Sequence, residues 1–190
     1  MRVLLSFIFL ITLVSCSSNP MKSYTLVNKD KIKNSEYIHY KNRKIAIIDN
    51  VNMPNEIDSS GIAYQISPNE VNIANNNVWA YSLSEQITDQ LITQLNNKQS
   101  KYFFNKNVTG LNTLNVFRLK IYISDFQGRF DGNAIVSGTW LLLNSNGNII
   151  KNGSFNSITP LKKEGYSALV FALSKSLDKI SSTLSLGLQI

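Results

Sequence analysis

The chain is 190 residues long, carries a net charge of +7 and holds one cysteine and one histidine. That length suits one domain with a real core; the single thiol excludes an internal disulfide, and the single histidine confines any Ser-His-Asp or Cys-His arrangement to one position. The positive charge does not point to nucleic acid, because the basic residues are scattered among asparagines and isoleucines. Their densest run, Lys29, Lys31, Lys33, Lys41, Arg43 and Lys44, reads as a solvated face with a mild attraction to anionic head groups.

Residues 1–15 have the architecture of a secretory signal peptide. Met1-Arg2 is a positive start, Val3 to Val14 is apolar apart from Ser6 and Thr12, and Ser15 is a small residue before the cut. The apolar stretch falls short of the ~20 residues a membrane-spanning helix needs, and the polar Ser17, Ser18 and Asn19 follow it. Leu13-Val14-Ser15-Cys16 has the form of a bacterial lipobox. Cleavage then falls between Ser15 and Cys16, the Cys16 thiol takes a diacylglycerol, and a further acyl group such as palmitate caps the new amino terminus. Several acyl chains, at ~0.8 kcal/mol per buried CH2, anchor a protein stably where one is marginal. Ser17, in place of an aspartate, directs the lipoprotein to the inner leaflet of the outer membrane, facing the periplasm. The alternative is an unmodified Cys16 buried in a core. On the lipoprotein reading, residues 16–22 are the lipidated terminus and tether, and 23–190 form one domain with no thiolate available to a metal.

Tyr24 to Val27 predicts a first strand, followed by a polar loop from Asn28 to Glu36. Lys44 to Val51 predicts a largely buried strand that ends before Pro54. Gly61 to Ile66 and Val71 to Ala74 form a hairpin across Ser67-Pro68-Asn69-Glu70, where proline presets its own φ and asparagine tolerates a left-handed turn. Ser82-Leu83-Ser84-Glu85 is a capping box. It opens a helix with Leu83, Ile87, Leu91 and Leu95 on one line, widened by Ile92 and ended by Asn96-Asn97-Lys98.

From Leu114 to Phe126, Phe117, Leu119, Ile121 and Ile123 alternate with Val116, Arg118, Lys120 and Tyr122, the pattern of a half-buried strand. Ala134 to Leu143 and Ile149 to Ile158 are paired by the Asn146-Gly147 hairpin signal. A long helix from about Glu164 to Leu184 closes the chain, with Tyr166, Leu169, Val170, Leu173, Leu177 and Ile180 on one face. The order β-β-β-β-α-β-β-β-α predicts an α+β fold: a mainly antiparallel sheet with two amphipathic helices packed on one side.

Catalytic parts are scarce. His39, in "YIHYKN", has no nucleophile-elbow glycines near it and reads as a lightly packed strand residue. Asp125 and Asp131 could be paired carboxylates, but across Gly128 they read more simply as a strand-end cap and a turn. No Asp/Glu/His cluster suits a metal and no glycine loop suits a phosphate, so no metal, no cofactor and no enzymatic activity are expected. Trp79 and Trp140 read as core anchors. The functional alternative makes Trp79 and Tyr81 part of a rim that contacts a partner protein or a lipid chain.

The order of these motifs resembles the ABC-type transport auxiliary lipoproteins, the PqiC-like outer-membrane lipoproteins. The resemblance rests on the lipobox, Tyr24-Thr25-Leu26, the apolar strand from Ile45 towards Pro54, and Trp79-Ala80 leading into Leu83, Ile87 and Leu91. It continues with Phe126 and Gly128, Gly138-Thr139-Trp140 running to Gly147, and Gly165 to Val170 opening the last helix. It departs from the pattern at residues 55–63, "NEIDSSGIA", which lack an arginine common there, and in a longer Lys- and Asn-rich loop at 28–36. The resemblance implies a non-catalytic lipoprotein that works with a periplasmic MCE-domain protein and an inner-membrane permease. Together these would move lipids, phospholipid among them, or another hydrophobic substrate between the two membranes, with this chain docking the MCE protein at the outer membrane, and a homo-oligomeric ring would suit a tubular partner. Two other readings stay open: an assembly lipoprotein of the lipopolysaccharide-export or barrel-associated type, and a structural envelope lipoprotein.

Overall fold

The structure, a computed structural model, describes residues 20–27, 43–106 and 116–189. The described elements run β1 (Lys22–Tyr24), β2 (Lys44–Ile48), β3 (Gly61–Ser67), β4 (Glu70–Trp79), α1 (Leu83–Lys98), β5 (Tyr102–Lys106), β6 (Phe117–Arg129), β7 (Asn133–Leu143), β8 (Ile149–Pro160) and α2 (Tyr166–Gln189).

The sheet is organised around β6. One of its edges pairs along its length with β7, which pairs in turn with β8, both antiparallel. The other edge is shared: β2 pairs with Phe117–Leu119, Asn52 bridges to Tyr122, and β3 pairs with Gly128 and Arg129. The Asn52 bridge is two-sided, with Asn52 N donating to Ile121 O at 2.9 Å and Ile123 N donating to Asn52 O at 2.8 Å. Beyond β2 lies β5, and beyond β3 lie β4 and β1.

The expected α+β class holds, but the sheet is mixed and not mainly antiparallel. Among the described strands, four of the seven pairings are parallel. Parallel partners are joined through distant stretches of chain, which turn signals cannot reveal. β5, absent from the sequence reading, is one of them.

Both helices feed one hydrophobic cluster on one face of the sheet. The line Leu83, Ile87, Leu91 and Leu95 of α1 is fully buried, as are Leu173, Leu177 and Leu184 of α2. Ser82 caps α1 by accepting from Glu85 N at 3.3 Å, as the capping box predicts, and Asp58 Oδ1 adds a second cap by accepting from Ser84 N at 3.0 Å. Lys98 ties the end of α1 to α2: its Nζ lies 2.5 Å from Asp178 Oδ1 and donates to Ser181 Oγ at 2.6 Å.

Towards the helices, β6 presents Leu119, Ile121 and Ile123, and then Phe126. The change from odd to even positions is a β-bulge. Ile123 pairs with Gly138 and Asp125 with Ser137, so Ser124 is an extra residue that returns the strand to its buried side. Opposite Ile121 on β7, Trp140 lies in a slot made by two glycines. A Cβ on Gly153 of β8 would sit 2.7 Å from the indole Nε1, and one on Gly187 of α2 would sit 2.8 Å from Cζ2.

In β5, Tyr102 packs edge-on against Phe117, with ring centroids 5.4 Å apart, and is 2 % exposed. Burial pushes its phenol above the ordinary value of 10.0. At the lower end of the molecule Lys101 Nζ donates to Gln189 O at 3.1 Å and Lys151 Nζ to Leu188 O at 3.1 Å, satisfying the last carbonyls of α2. Desolvation, and then the charge and hydrogen bond of Lys101 beside it, lower the pKa of Lys151.

Two predictions follow from this packing. In an isolated helix, exchanging Gly187 for alanine would add ~1 kcal/mol of propensity; here Gly187→Ala is expected to destabilise by roughly 1–3 kcal/mol through the clash with Trp140. In a Trp140→Leu background the penalty should vanish, which paired urea titrations would measure. The second concerns pH. Because folding raises the Tyr102 pKa, the folded chain holds a proton that the unfolded chain releases above pH 10, so this group's stability is intact below that pH and is lost above it. The lowered Lys151 has the opposite sign, so the difference in urea midpoint between wild type and Tyr102→Phe isolates the tyrosine; it should stay constant from pH 7 to about 9.5 and shift against the wild type beyond.

Candidate functional site: the tether junction and the open faces

The chain enters the described structure at Pro20 and joins the sheet as β1, parallel to Asn77–Trp79. The first strand was expected at Tyr24–Val27, but it ends at Tyr24, because the residues after it leave the sheet and cross onto the helices. There side chains take over the hydrogen bonding. Leu26 N donates to Gln86 Oε1 at 2.9 Å, Val27 N to Ser174 Oγ at 2.9 Å, and Gln90 Nε2 to Val27 O at 3.3 Å. Gln86 also donates to Tyr81 O at 2.8 Å. Gln86 and Gln90 are one turn apart on α1 and read successive backbone groups of the passing segment. The segment that follows β1 is thereby fixed to both helices.

The aromatic pair proposed as a rim is divided. Trp79 is buried, 5 % exposed, with its ring 6.2 Å from that of Phe126, so it is a core residue and not part of a contact rim. The physical reason is that β4 runs on to Trp79 past a shift of register in its pairing with β3, and the indole joins the core cluster shared with the helices. Tyr81, beyond the strand, is half exposed. Trp140 is a core residue, as its position in mid-strand suggests. Ser15, Cys16, His39 and the basic run from Lys29 to Lys41 lie outside the described residues.

The two candidate carboxylates serve local structure. Asp125, beside the bulge, accepts a hydrogen bond from Ser137 Oγ. Asp131 accepts from Asn133 N at 3.2 Å and pairs with Arg129 Nη2 at 3.0 Å in the β6–β7 turn. Among the described residues no group of three His, Cys, Asp or Glu side chains could hold a metal ion, and no helix is long and apolar enough to cross a membrane.

Since both helices cover one face, the other face of β6, β7 and β8 is left open by the described residues. It carries Tyr122, Ile135 and Ile158, the last two directly paired across strands, with Ile158 47 % exposed. Sequence alternation identifies these positions as outward but does not say that both helices lie on the opposite face.

A family model described as "ABC-type transport auxiliary lipoprotein component" matches residues 24–185, from β1 to the last turns of α2. The chain belongs to this family. It is 34% identical over 128 residues to the intermembrane transport lipoprotein PqiC of Escherichia coli K12, and equally to that of Shigella flexneri; each match spans 66% of this chain and 65% of the relative. The chain thus aligns with slightly under two thirds of the length of these curated relatives. Among solved structures, an uncharacterized protein superposes with a TM-score of 0.75 at 24% identity, covering 90% of this chain and 99% of its own. A protein of Xanthomonas campestris superposes with a TM-score of 0.63 at 16% identity, covering 77% and 83%. These two establish the fold.

The clamp on the segment after β1 is open to test. Gln86→Ala strands Leu26 N and Tyr81 O and should cost about 1–3 kcal/mol by urea denaturation. Hydrogen exchange at Leu26 and Val27 should accelerate, while exchange at Ile121 and Ile123 in the centre of the sheet changes only with global stability.

Proposed function

We propose that the protein is a lipid-anchored, non-catalytic auxiliary subunit of an intermembrane lipid transport system. The observation that carries this reading is the family match, which covers nearly the whole described domain. The names of the curated relatives support it. Acylated Cys16 holds the chain at the outer membrane, and the tether transmits that position to the domain through β1 and the glutamine contacts of α1. A periplasmic MCE-domain protein docks on surface the helices leave free, including the open face with Tyr122, Ile135 and Ile158, and an inner-membrane permease completes the system. The domain contributes position and a protein surface, and the bond-making chemistry lies elsewhere.

The test is a mild-detergent pull-down of the tagged, acylated full chain from its own envelope, with mass spectrometry of the eluate. An MCE protein and its permease should co-purify. Recovery of a β-barrel in their place supports the assembly-lipoprotein reading, and recovery of no protein overturns the transport role. In parallel, Cys16→Ser should leave the chain uncleaved and unacylated, and it should disappear from the outer-membrane fraction.

A further inference from the structure

At the upper end of the molecule, where β6 turns into β7 and β8 leads into α2, the helix side of the sheet ends in an open cavity of about 620 Å³. That size lies within the range of small-molecule sites. Tyr64, Phe130, Leu161, Tyr166 and Leu169 line it. Three glycines shape it. A Cβ on Gly128 would lie 2.3 Å from Tyr64 Cδ2 and 3.0 Å from Leu169 Cδ2, so glycine is what lets the Tyr64 ring lie across β6 as part of the wall. Gly132 and Gly165, at φ of 77° and 99°, hold the two flanking loops in left-handed turns that other residues rarely adopt. Leu161 N donates to Gly132 O at 3.0 Å and joins those loops.

The chemistry of the cavity is amphiphilic. Aromatic and aliphatic side chains form its interior, and Phe130 is left 48 % exposed. Lys162 and Lys163 stand with Glu164 among the lining residues, both lysines are exposed, and neither is ion-paired among the described residues.

Strand direction indicates what faces this end. β3 runs parallel to β6 towards the cavity, and β4 returns antiparallel to it. β1 is parallel to β4, so the chain enters β1 from the cavity side. Five residues lie between Cys16 and Lys22, so the six steps from one to the other span at most about 20 Å of extended chain. An anchor at Cys16 therefore keeps this end of the domain within reach of the bilayer.

From these observations we infer that the cavity binds an acyl chain of an anionic phospholipid, with the head-group phosphate held by Lys162 and Lys163. The inference rests on the anchored, lipid-transporting reading above and adds a cargo site to it.

The test uses full-length acylated protein in phosphatidylcholine vesicles doped with phosphatidylglycerol that bears a photoactivatable group on one acyl chain. After irradiation, labelled peptides are located by mass spectrometry. Label should concentrate on residues 128–132 and 161–169. The Lys162→Glu/Lys163→Glu double variant, altered only at exposed positions, should unfold at the same temperature as the wild type and take up about tenfold less label from the anionic probe. Label spread over the strands of the open face, or equal labelling of wild type and double variant, overturns the site. So does a protein–protein adduct from a photoactivatable residue placed at position 130 in the native envelope. The pull-down is scored separately. Partner recovered without cavity labelling discards the cavity and leaves the transport role; cavity labelling without a partner does the reverse.

Discussion

The thirteen residues of β6 keep one side against the two helices along their whole length only because Ser124 is an extra residue in the ladder with β7. Side chains on a strand alternate with a period of two, so a single inserted residue exchanges the two faces. Without the bulge, the phase that buries Leu119, Ile121 and Ile123 would turn Gln127 inward and Phe126 outward. With it, Phe126 meets Trp79 in the core and Gly128 faces Tyr64 and Leu169. The lower part of β6 thus serves β2 and β5, the upper part serves β3 and β4, and both halves share one helical layer. The joint also places Asp125 opposite Ser137 on the other side of the sheet.

Much of this was legible in the amino-acid sequence wherever the determining contacts are local. The line Leu83, Ile87, Leu91 and Leu95, the Ser82 cap and the long final helix all depend on spacings of three or four residues. The Asn144–Asn148 turn was also readable: Asn144 Oδ1 accepts from both Asn146 N and Asn148 N at 3.0 Å, and Gly147 takes a φ of 82°. What could not be read depends on partners far along the chain. β5 has only Tyr102 and Phe104 to signal its buried side, too few alternations to stand out, and its pairing with β2 is parallel. The bulge leaves no local mark, since serine is ordinary on either face. Thr25 to Val27 have the composition of a strand, yet Gln86, Gln90 and Ser174 supply the hydrogen bonds that a neighbouring strand would have made. The open sheet face and the upper cavity are products of assembly, and the residues that form the cavity come from three separate stretches of chain.

The tether junction links fold to position. A short parallel strand at a sheet edge would fray easily, but here the three residues of β1 are followed at once by side-chain bonds to two different helices. A force on the amino-terminal end is therefore shared between β4, α1 and α2. On the lipid-anchored reading proposed above, such a junction fixes the orientation of the domain relative to the departing chain more firmly than a free linker does. It also makes that orientation specific, because β1 can be entered from the cavity side alone.

The two ends of α2 show the same polarity in their charges. At the lower end Lys101 and Lys151 meet the carbonyls of Gly187, Leu188 and Gln189, where positive charge complements the negative end of a helix. At the upper end the first turn has no acidic residue, and Lys162 and Lys163 lie just ahead of it, where the helix end is itself positive. Glu164 offsets part of this excess. The lower arrangement stabilises the isolated domain, whereas the upper one gains most when an anion is present. Placed beside an apolar cavity, that asymmetry leaves positive charge at one end of the fold that the fold itself does not use, and this is the charge on which the proposed amphiphile site draws.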